Sequence, residues 1–273
     1  MDAGQQRRDV HMDVHEDRGA VGQASAAPPP ELSPGIQRLK RGVDAFYRHA
    51  AGAVTSVETS EPLVALTFDD GPDPTSTPRV LRLLERYGAR ATFFMVGAAA
   101  HRHRRLVREI AEAGHAVANH SWDHASFPAI PGRQRRTQIR WCQRAIAPYG
   151  LRLFRPPYGR QSVASRLDAR LLGFEVIAWS LSVDDWRERD PQVMAERLMT
   201  RTVPGSIVLL HDSIFRGEPE QGLQYGREPL IRAVELFLER ARGTYQFVTV
   251  PDLLARGRPI VQEWYDDGWL TDA

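Results

Sequence analysis

Five short stretches of this sequence carry side chains able to hold a metal or move a proton. The first, Thr67-Phe68-Asp69-Asp70-Gly71-Pro72, sets two carboxylates side by side. Neighbouring residues on a strand point to opposite faces, so both can serve one site only where the chain bends. Gly71-Pro72 offers such a bend, although the dipeptide is equally at home in a plain turn. With the bend, one carboxylate is free to bind a cation and the other to handle a proton. The second stretch, His120-Ser121-Trp122-Asp123-His124, spaces two imidazoles at i, i+4, which can bring both onto one metal. Two histidines and an aspartate leave a coordination position for water, as in catalytic zinc sites. A capped turn with two satisfied histidines is the plainer alternative. His11 and His15 repeat the spacing in a polar stretch with no strand or core, and are not expected to bind. The remaining stretches are Arg155-Pro156-Pro157-Tyr158, Asp184-Asp185-Trp186 and Leu209-Leu210-His211-Asp212.

What would position them is a series of short apolar runs: Leu63–Phe68, Ala91–Val96, His115–Ala118, Leu151–Phe154, Phe174–Trp179, Ser206–Leu210 and Gln246–Val250. Continuous rather than alternating apolar character predicts strands buried on both faces, as in a parallel sheet. Amphipathic stretches lie between them, including Thr77–Tyr87 before Gly88 and His101–Ala113 before Gly114. Alternation of this kind predicts an α/β fold, either a (β/α) barrel or a doubly wound sheet. Asp69-Asp70, His120, Arg155, Asp184-Asp185 and His211 all come at or soon after the ends of such runs. In both architectures those ends share one face, where active sites are built.

The chain has 273 residues, 36 basic and 34 acidic, with a formal net charge of +2 and one cysteine, Cys142. That balance argues against a nucleic-acid binder. Arg133–Arg140 and His101–Arg105 read instead as solvated helix faces. A single cysteine excludes an intrachain disulfide framework, and Cys142 reads as a core or surface thiol rather than a nucleophile. No apolar run is long enough to cross a membrane as a helix. Residues 1–35, charged and ending in prolines, read as a disordered tail. No export signal is visible in them as written, so localisation stays open. Residues 36–60 read as an N-terminal amphipathic helix, on Ile36, Leu39, Val43, Phe46, Tyr47 and Ala50, followed by a linker. Residues 61–273 then form the catalytic domain with a C-terminal extension. Asn119-His120-Ser121 matches a glycosylation sequon but falls at the predicted pocket rim and is rejected.

Taken in order, the five stretches resemble the motifs of polysaccharide deacetylases of the NodB-homology type, carbohydrate esterase family four. The likeness runs from about Pro62 to Leu254. It implies a distorted (β/α)7 barrel and a hydrolase acting on carbon–nitrogen bonds, which removes N-acetyl groups from an acetamido-sugar polymer. It implies that Asp70, His120 and His124 bind a divalent metal, usually zinc, and that Asp69 is the general base. It also implies that His211 is the general acid, that Arg155 pairs with Asp69 and that Asp185 orients His211. The backbone N–H of Tyr158 would stabilise the oxyanion, Trp186 and Leu209 would wall the acetyl pocket, and Pro156 and Tyr158 would also contact substrate. Many members read Asp-x-x-Asp-Trp at the fourth motif, whereas Ser182 stands at the first of those positions here.

Two other readings compete. One is the same barrel acting on a different carbon–nitrogen bond, as in deformylation of a lipid-linked sugar or hydrolysis of a small amide. The other is a catalytically silent carbohydrate-binding barrel, which five intact acid and histidine positions argue against. The expected partner is an N-acetylated glycan, chitin-like or peptidoglycan-like, acted on by a monomer. Phe215–Arg227 reads as a groove-lining loop. Trp264, Tyr265 and Trp269 read either as sugar-stacking or as core residues.

Overall fold

The computed structural model describes residues 52–215 and 226–263. The expected tail, the helix at 36–50, His11, His15, most of the groove loop and Trp264, Tyr265 and Trp269 lie outside the described residues. Strands β2 (Leu63–Asp69), β3 (Ala91–Met95), β4 (Ala116–Asn119), β5 (Gly150–Phe154), β6 (Glu175–Val176), β7 (Leu181–Ser182) and β8 (Ile207–His211) form a parallel sheet in the order β6-β5-β4-β3-β2-β8-β7. Strand β9 (Gln246–Phe247) adds to the start of β2. The sheet curls into a half-barrel, with no ladder between β6 and β7 among the described residues. Every residue of β2, β3 and β4 is buried, as a sheet covered on both faces requires.

Helices α1 (Thr77–Arg86), α2 (Gly97–Arg102), α3 (Arg104–Glu112), α4 (Gly132–Ala145), α5 (Val163–Leu171), α6 (Pro191–Arg201), α7 (Glu228–Arg240) and α8 (Val250–Ala255) complete the order. The sheet's two faces pack differently. Val64, Leu66 and Phe68 of β2 join the main core with Val80 and Leu84 of α1 and Phe237 of α7. Leu63 and Ala65 join a smaller cluster with Phe94, Ala118, Leu153 and Ile207. Strand alternation continues that second face into Thr67 and Asp69, His120, Arg155, and Leu209 and His211. The reactive residues therefore stand on the apolar floor of one concave face.

A two-stranded antiparallel clasp, β1 (Ala53–Glu58) with β10 (Arg258–Gln262), lies against the unpaired seam. Val54 bridges Ile177 just after β6, and Ser56 bridges Ser206 just before β8. Gly205 has φ 83°, and any side chain there would run into the Val57 carbonyl. The clasp corrects the linker reading of residues 53–58.

Four other expectations shift. The single helix over His101–Ala113 is two, broken at His103 (φ −120°, ψ 46°), and the first of them starts at Gly97. The run Phe174–Trp179 is a strand only at Glu175–Val176, because Ala178 N–H turns to Val54 O (2.7 Å) and the Ile177 and Ala178 carbonyls accept from Arg155. Val250 starts α8, whose first turn is capped by Thr249. Arg135 and Arg136 of α4 are not simply solvated, since both pair with Asp168 of α5.

Candidate active site

Asp69 ends β2, and the chain turns at once: Asp70 has φ 74°, in the left-handed region. The bend brings both carboxylates to one side. It is tight enough that a side chain at Gly71 would collide with the Asp212 carboxylate. Asp69 Oδ1 accepts from Arg155 Nη1 at 2.7 Å. The same nitrogen reaches Thr67 Oγ1 at 2.7 Å, while Nη2 donates to Ala178 O at 2.9 Å. Arg155 has no exposed surface and lies 4.1 Å over the Phe94 ring. Burial pulls its pKa down and Asp69 pushes it back up, the balance remaining below the usual arginine value. An arginine so placed remains a cation, so it holds Asp69 by charge as well as by geometry.

Beyond β4 the chain folds into a tight turn with Ser121 (φ 67°) and His124 (φ 62°) in the left-handed region. Asn119 Oδ1 accepts from Ser121 N (3.0 Å), Ser121 Oγ accepts from His124 N (3.1 Å), and Gln138 of α4 binds the Trp122 and Asp123 amides. Asn119 is itself fully buried and donates to Ile139 O, so its side chain is committed to the fold. His120 Nδ1 lies 2.8 Å from the Arg155 carbonyl, which makes it the protonated nitrogen and leaves a lone pair on Nε2. That lone pair faces Asp70 Oδ1 at 3.4 Å, and His124 Nε2 faces the same oxygen at 3.2 Å.

Asp70 Oδ1 is buried and has no hydrogen-bond donor, while Oδ2 accepts from Phe215 N at 3.1 Å. One ligand atom from each of Asp70, His120 and His124 lies within 4.8 Å of the others. Electron pairs converging on a buried point repel unless a cation sits among them, so this trio fits a divalent metal. Burial lowers the His124 pKa to about 4, and His120 and His211 add to the effect against Asp70 and Asp69. A neutral imidazole is the form that ligates. Burial alone would raise Asp70, yet His124, His120 and His211 hold it well below the carboxylate range.

On the other side of β2, the ladder to β8 makes Asp69 and His211 direct neighbours. His211 Nδ1 donates to Asp185 Oδ1 at 2.9 Å, and its backbone N–H donates to Asp185 Oδ2 at 3.0 Å. Burial works against the imidazolium, but Asp185, with Asp70 and Asp69, raises the His211 pKa to about 9. The Trp186 ring meets His211 edge-on at 5.8 Å and is 39% exposed. Leu209 lies on the same strand face as His211. Tyr158 (φ 59°, 61% exposed) sets its ring 4.4 Å from that of His124, and Pro156 is buried beneath. Ser182 Oγ accepts from Asp184 N at 3.2 Å, so the residue that departs from the motif caps its turn.

The family profile described as polysaccharide deacetylase matches residues 56–177. A Bacillus cereus peptidoglycan-N-acetylglucosamine deacetylase is 32% identical, the alignment covering 74% of this chain and 93% of that protein. The chain belongs to the polysaccharide deacetylase family. Peptidoglycan-N-acetylglucosamine deacetylase PgdA of Listeria monocytogenes is 30% identical over 74% of this chain but only 41% of its own length, so the chain spans about two fifths of that relative. Among solved structures, the family 4 carbohydrate esterase of Streptomyces lividans in complex with acetate superposes with a TM-score of 0.63 and 28% identity, over 74% of this chain and 100% of that one. The α/β half-barrel is thus that of polysaccharide deacetylases. Asp70, His120 and His124 converge at the end of the sheet, with Asp69 and Arg155, and Asp185 and His211, paired beside them.

Three participants had not been singled out from sequence. Phe215 N–H seats Asp70. Thr67 Oγ1 accepts from Arg155 and donates to Val208 O at 2.6 Å. Arg227 binds the Asp185 carboxylate and two backbone carbonyls. Thr67 sits two residues before Asp69 on the same strand face, a signal available in sequence. Nothing local marks the other two, whose partners are distant in the chain. Cys142 is buried, its thiol pushed up to about 12 by burial, and donates to Met95 O at 3.2 Å, which excludes it as a nucleophile.

Proposed function

We propose that this chain is a metal-dependent deacetylase that hydrolyses the acetamide of N-acetylglucosamine units in a glycan of the peptidoglycan or chitooligosaccharide type. The observation that carries the reading is the adjacency, on β2 and β8, of a carboxylate held by Arg155 and an imidazolium held by Asp185, beside the three-ligand pocket. Asp69 is the base: it accepts a proton from the attacking water while Arg155 keeps it aligned. The Tyr158 N–H is the donor for the oxygen that gains charge as the acetyl carbon becomes tetrahedral. His211 then gives its proton to the departing nitrogen, which leaves as an amine while acetate forms. Asp70, His120 and His124 hold the divalent cation, in this reading zinc, whose Lewis acidity polarises the acetyl carbonyl and makes water more acidic. Trp186 and Leu209 bound the space for the acetyl methyl. Acetate in the Streptomyces lividans structure is the product this reaction would yield.

The test is acetate release from muropeptide glycan strands and from chitooligosaccharides. Release abolished by a chelator and restored by zinc supports the reading. No release from either substrate by the zinc-loaded protein overturns it.

A further inference from the structure

Arg227 precedes α7 and is 6% exposed, so its guanidinium is placed for partners in the fold and not for solvent. Nε donates to His211 O at 2.9 Å, Nη1 donates to Asp185 O at 3.0 Å, and Nη2 binds Asp185 Oδ2. All three acceptors belong to the acid and its partner. They join the loop after β7 to the end of β8, beside the Asp185–His211 contacts. Oδ2 of Asp185 thus takes a guanidinium and the His211 amide together, which fixes the carboxylate plane and leaves Oδ1 for the imidazole.

Resting on the deacetylase reading, we infer that Arg227 is the positioning residue of the acid: a fork that keeps the Asp185 carboxylate turned toward His211. It touches no reacting atom. Its action is separable from simple charge. Among the described residues, the groups facing His211 include Asp185 after β7, Asp69 and Asp70 at the end of β2, His124 after β4 and Arg227 itself. A cation near an imidazole disfavours its protonation, so loss of the Arg227 charge alone would raise the His211 pKa. Loss of the fork would lower it, because a tilted Asp185 no longer supports the imidazolium. Lysine keeps the charge but cannot serve three acceptors from a planar fork.

The experiment titrates the His211 imidazole by NMR in the zinc-loaded wild type, Arg227→Lys and Arg227→Met, with kcat and KM measured against pH. The wild type is expected to titrate above the ordinary histidine value, because Nδ1 is held by the Asp185 carboxylate. Both variants are expected to titrate lower, toward the ordinary histidine value of about 6.5. Their kcat should fall roughly tenfold or more with KM little changed, as small misplacements of a reacting group do. Arg227→Met should add almost nothing to Asp185→Asn, because both act through one carboxylate. An unmoved or raised His211 pKa, a lysine variant equal to wild type, or additive losses in the double variant overturns the inference. Arg227→Lys carries the test if Arg227→Met does not fold. The NMR readout needs no turnover, so a wild type that releases no acetate would sink the proposed function and leave this one still measurable.

Discussion

Around Asp70 and around Asp185, a buried carboxylate meets imidazole at the end of a parallel strand, and the results are opposite. Asp70 shares one oxygen between two imidazole nitrogens at 3.4 and 3.2 Å, and His124 falls to about 4. Asp185 gives one oxygen to one imidazole at 2.9 Å, and His211 rises to about 9. Burial penalises charge on both histidines. The difference lies in how many imidazoles share the carboxylate and which of their nitrogens face it. His120 spends its N–H on a backbone carbonyl and presents a lone pair, whereas His211 spends its N–H on the carboxylate itself. In the proposed mechanism the first arrangement serves a metal and the second serves as an acid. The two sit on either side of Asp69.

Removing a ligand should have the largest effect. His120→Ala or Asp70→Ala is expected to lose both bound zinc and acetate release to background, read by metal analysis and turnover on the same sample. Next, His211→Ala should cut kcat/KM by about 10²–10⁴-fold, the usual worth of a positioned acid, yet retain zinc. Loss of zinc from that variant would erase the distinction between the clusters.

Asp185→Asn sharpens the comparison through pH. In the proposed mechanism the protonated form of His211 is the working form, so wild-type kcat/KM should fall as pH rises through the raised His211 pKa of about 9. Without the Asp185 charge the folded pKa drops, and the alkaline limb should move to lower pH while the acid limb stays in place. An unmoved alkaline limb in the zinc-loaded variant would mean that His211 is not tuned by Asp185.

The smallest effect concerns Asp212, another buried carboxylate on the rim, whose side chain accepts from the Thr77 hydroxyl. Burial raises it to about 7, Asp70 and Asp73 adding to the rise against the Thr77 hydroxyl. An acid whose folded pKa exceeds its unfolded value loses stability as pH climbs between the two. Asp212→Asn should therefore match wild type near pH 4 and melt roughly 2–4 °C higher above pH 7, if the relief is worth about 1 kcal/mol. Equal melting curves across that range would show that folding does not raise the Asp212 pKa.

Much of this rim was legible in the sequence because strand ends are local. A buried run followed by a reactive residue fixes both the element and the side chain's level, as for Phe68-Asp69 and Leu210-His211. Alternation even sorts Asp69 from Phe68, and Gly71-Pro72 marks where Asp70 escapes it. What stayed hidden depends on partners far along the chain. Val54 and Val57 read as linker because the strand opposite them, Arg258–Gln262, is about 200 residues away and holds a proline. Arg227 is one of many arginines until the fold brings it to Asp185, 42 residues earlier. The short β6 was overextended for the same reason, since Arg155 takes the carbonyls that a longer strand would have paired.

The β1–β10 clasp also gives the molecule a mechanical polarity. Ala53 pairs with Gln262 and Glu58 with Arg258, so the points where the chain leaves the two strands, before Ala53 and after Gln262, lie side by side. Tension between those points crosses the ladder and loads one pair at a time, so the clasp unzips from Ala53–Gln262 inward. Tension along β2 against β8 would instead shear the whole Ala65–Asp69 ladder at once. A molecule held by both flanks would open its seam beside β6 at low force, while the strand ends bearing Asp69 and His211 stayed in register.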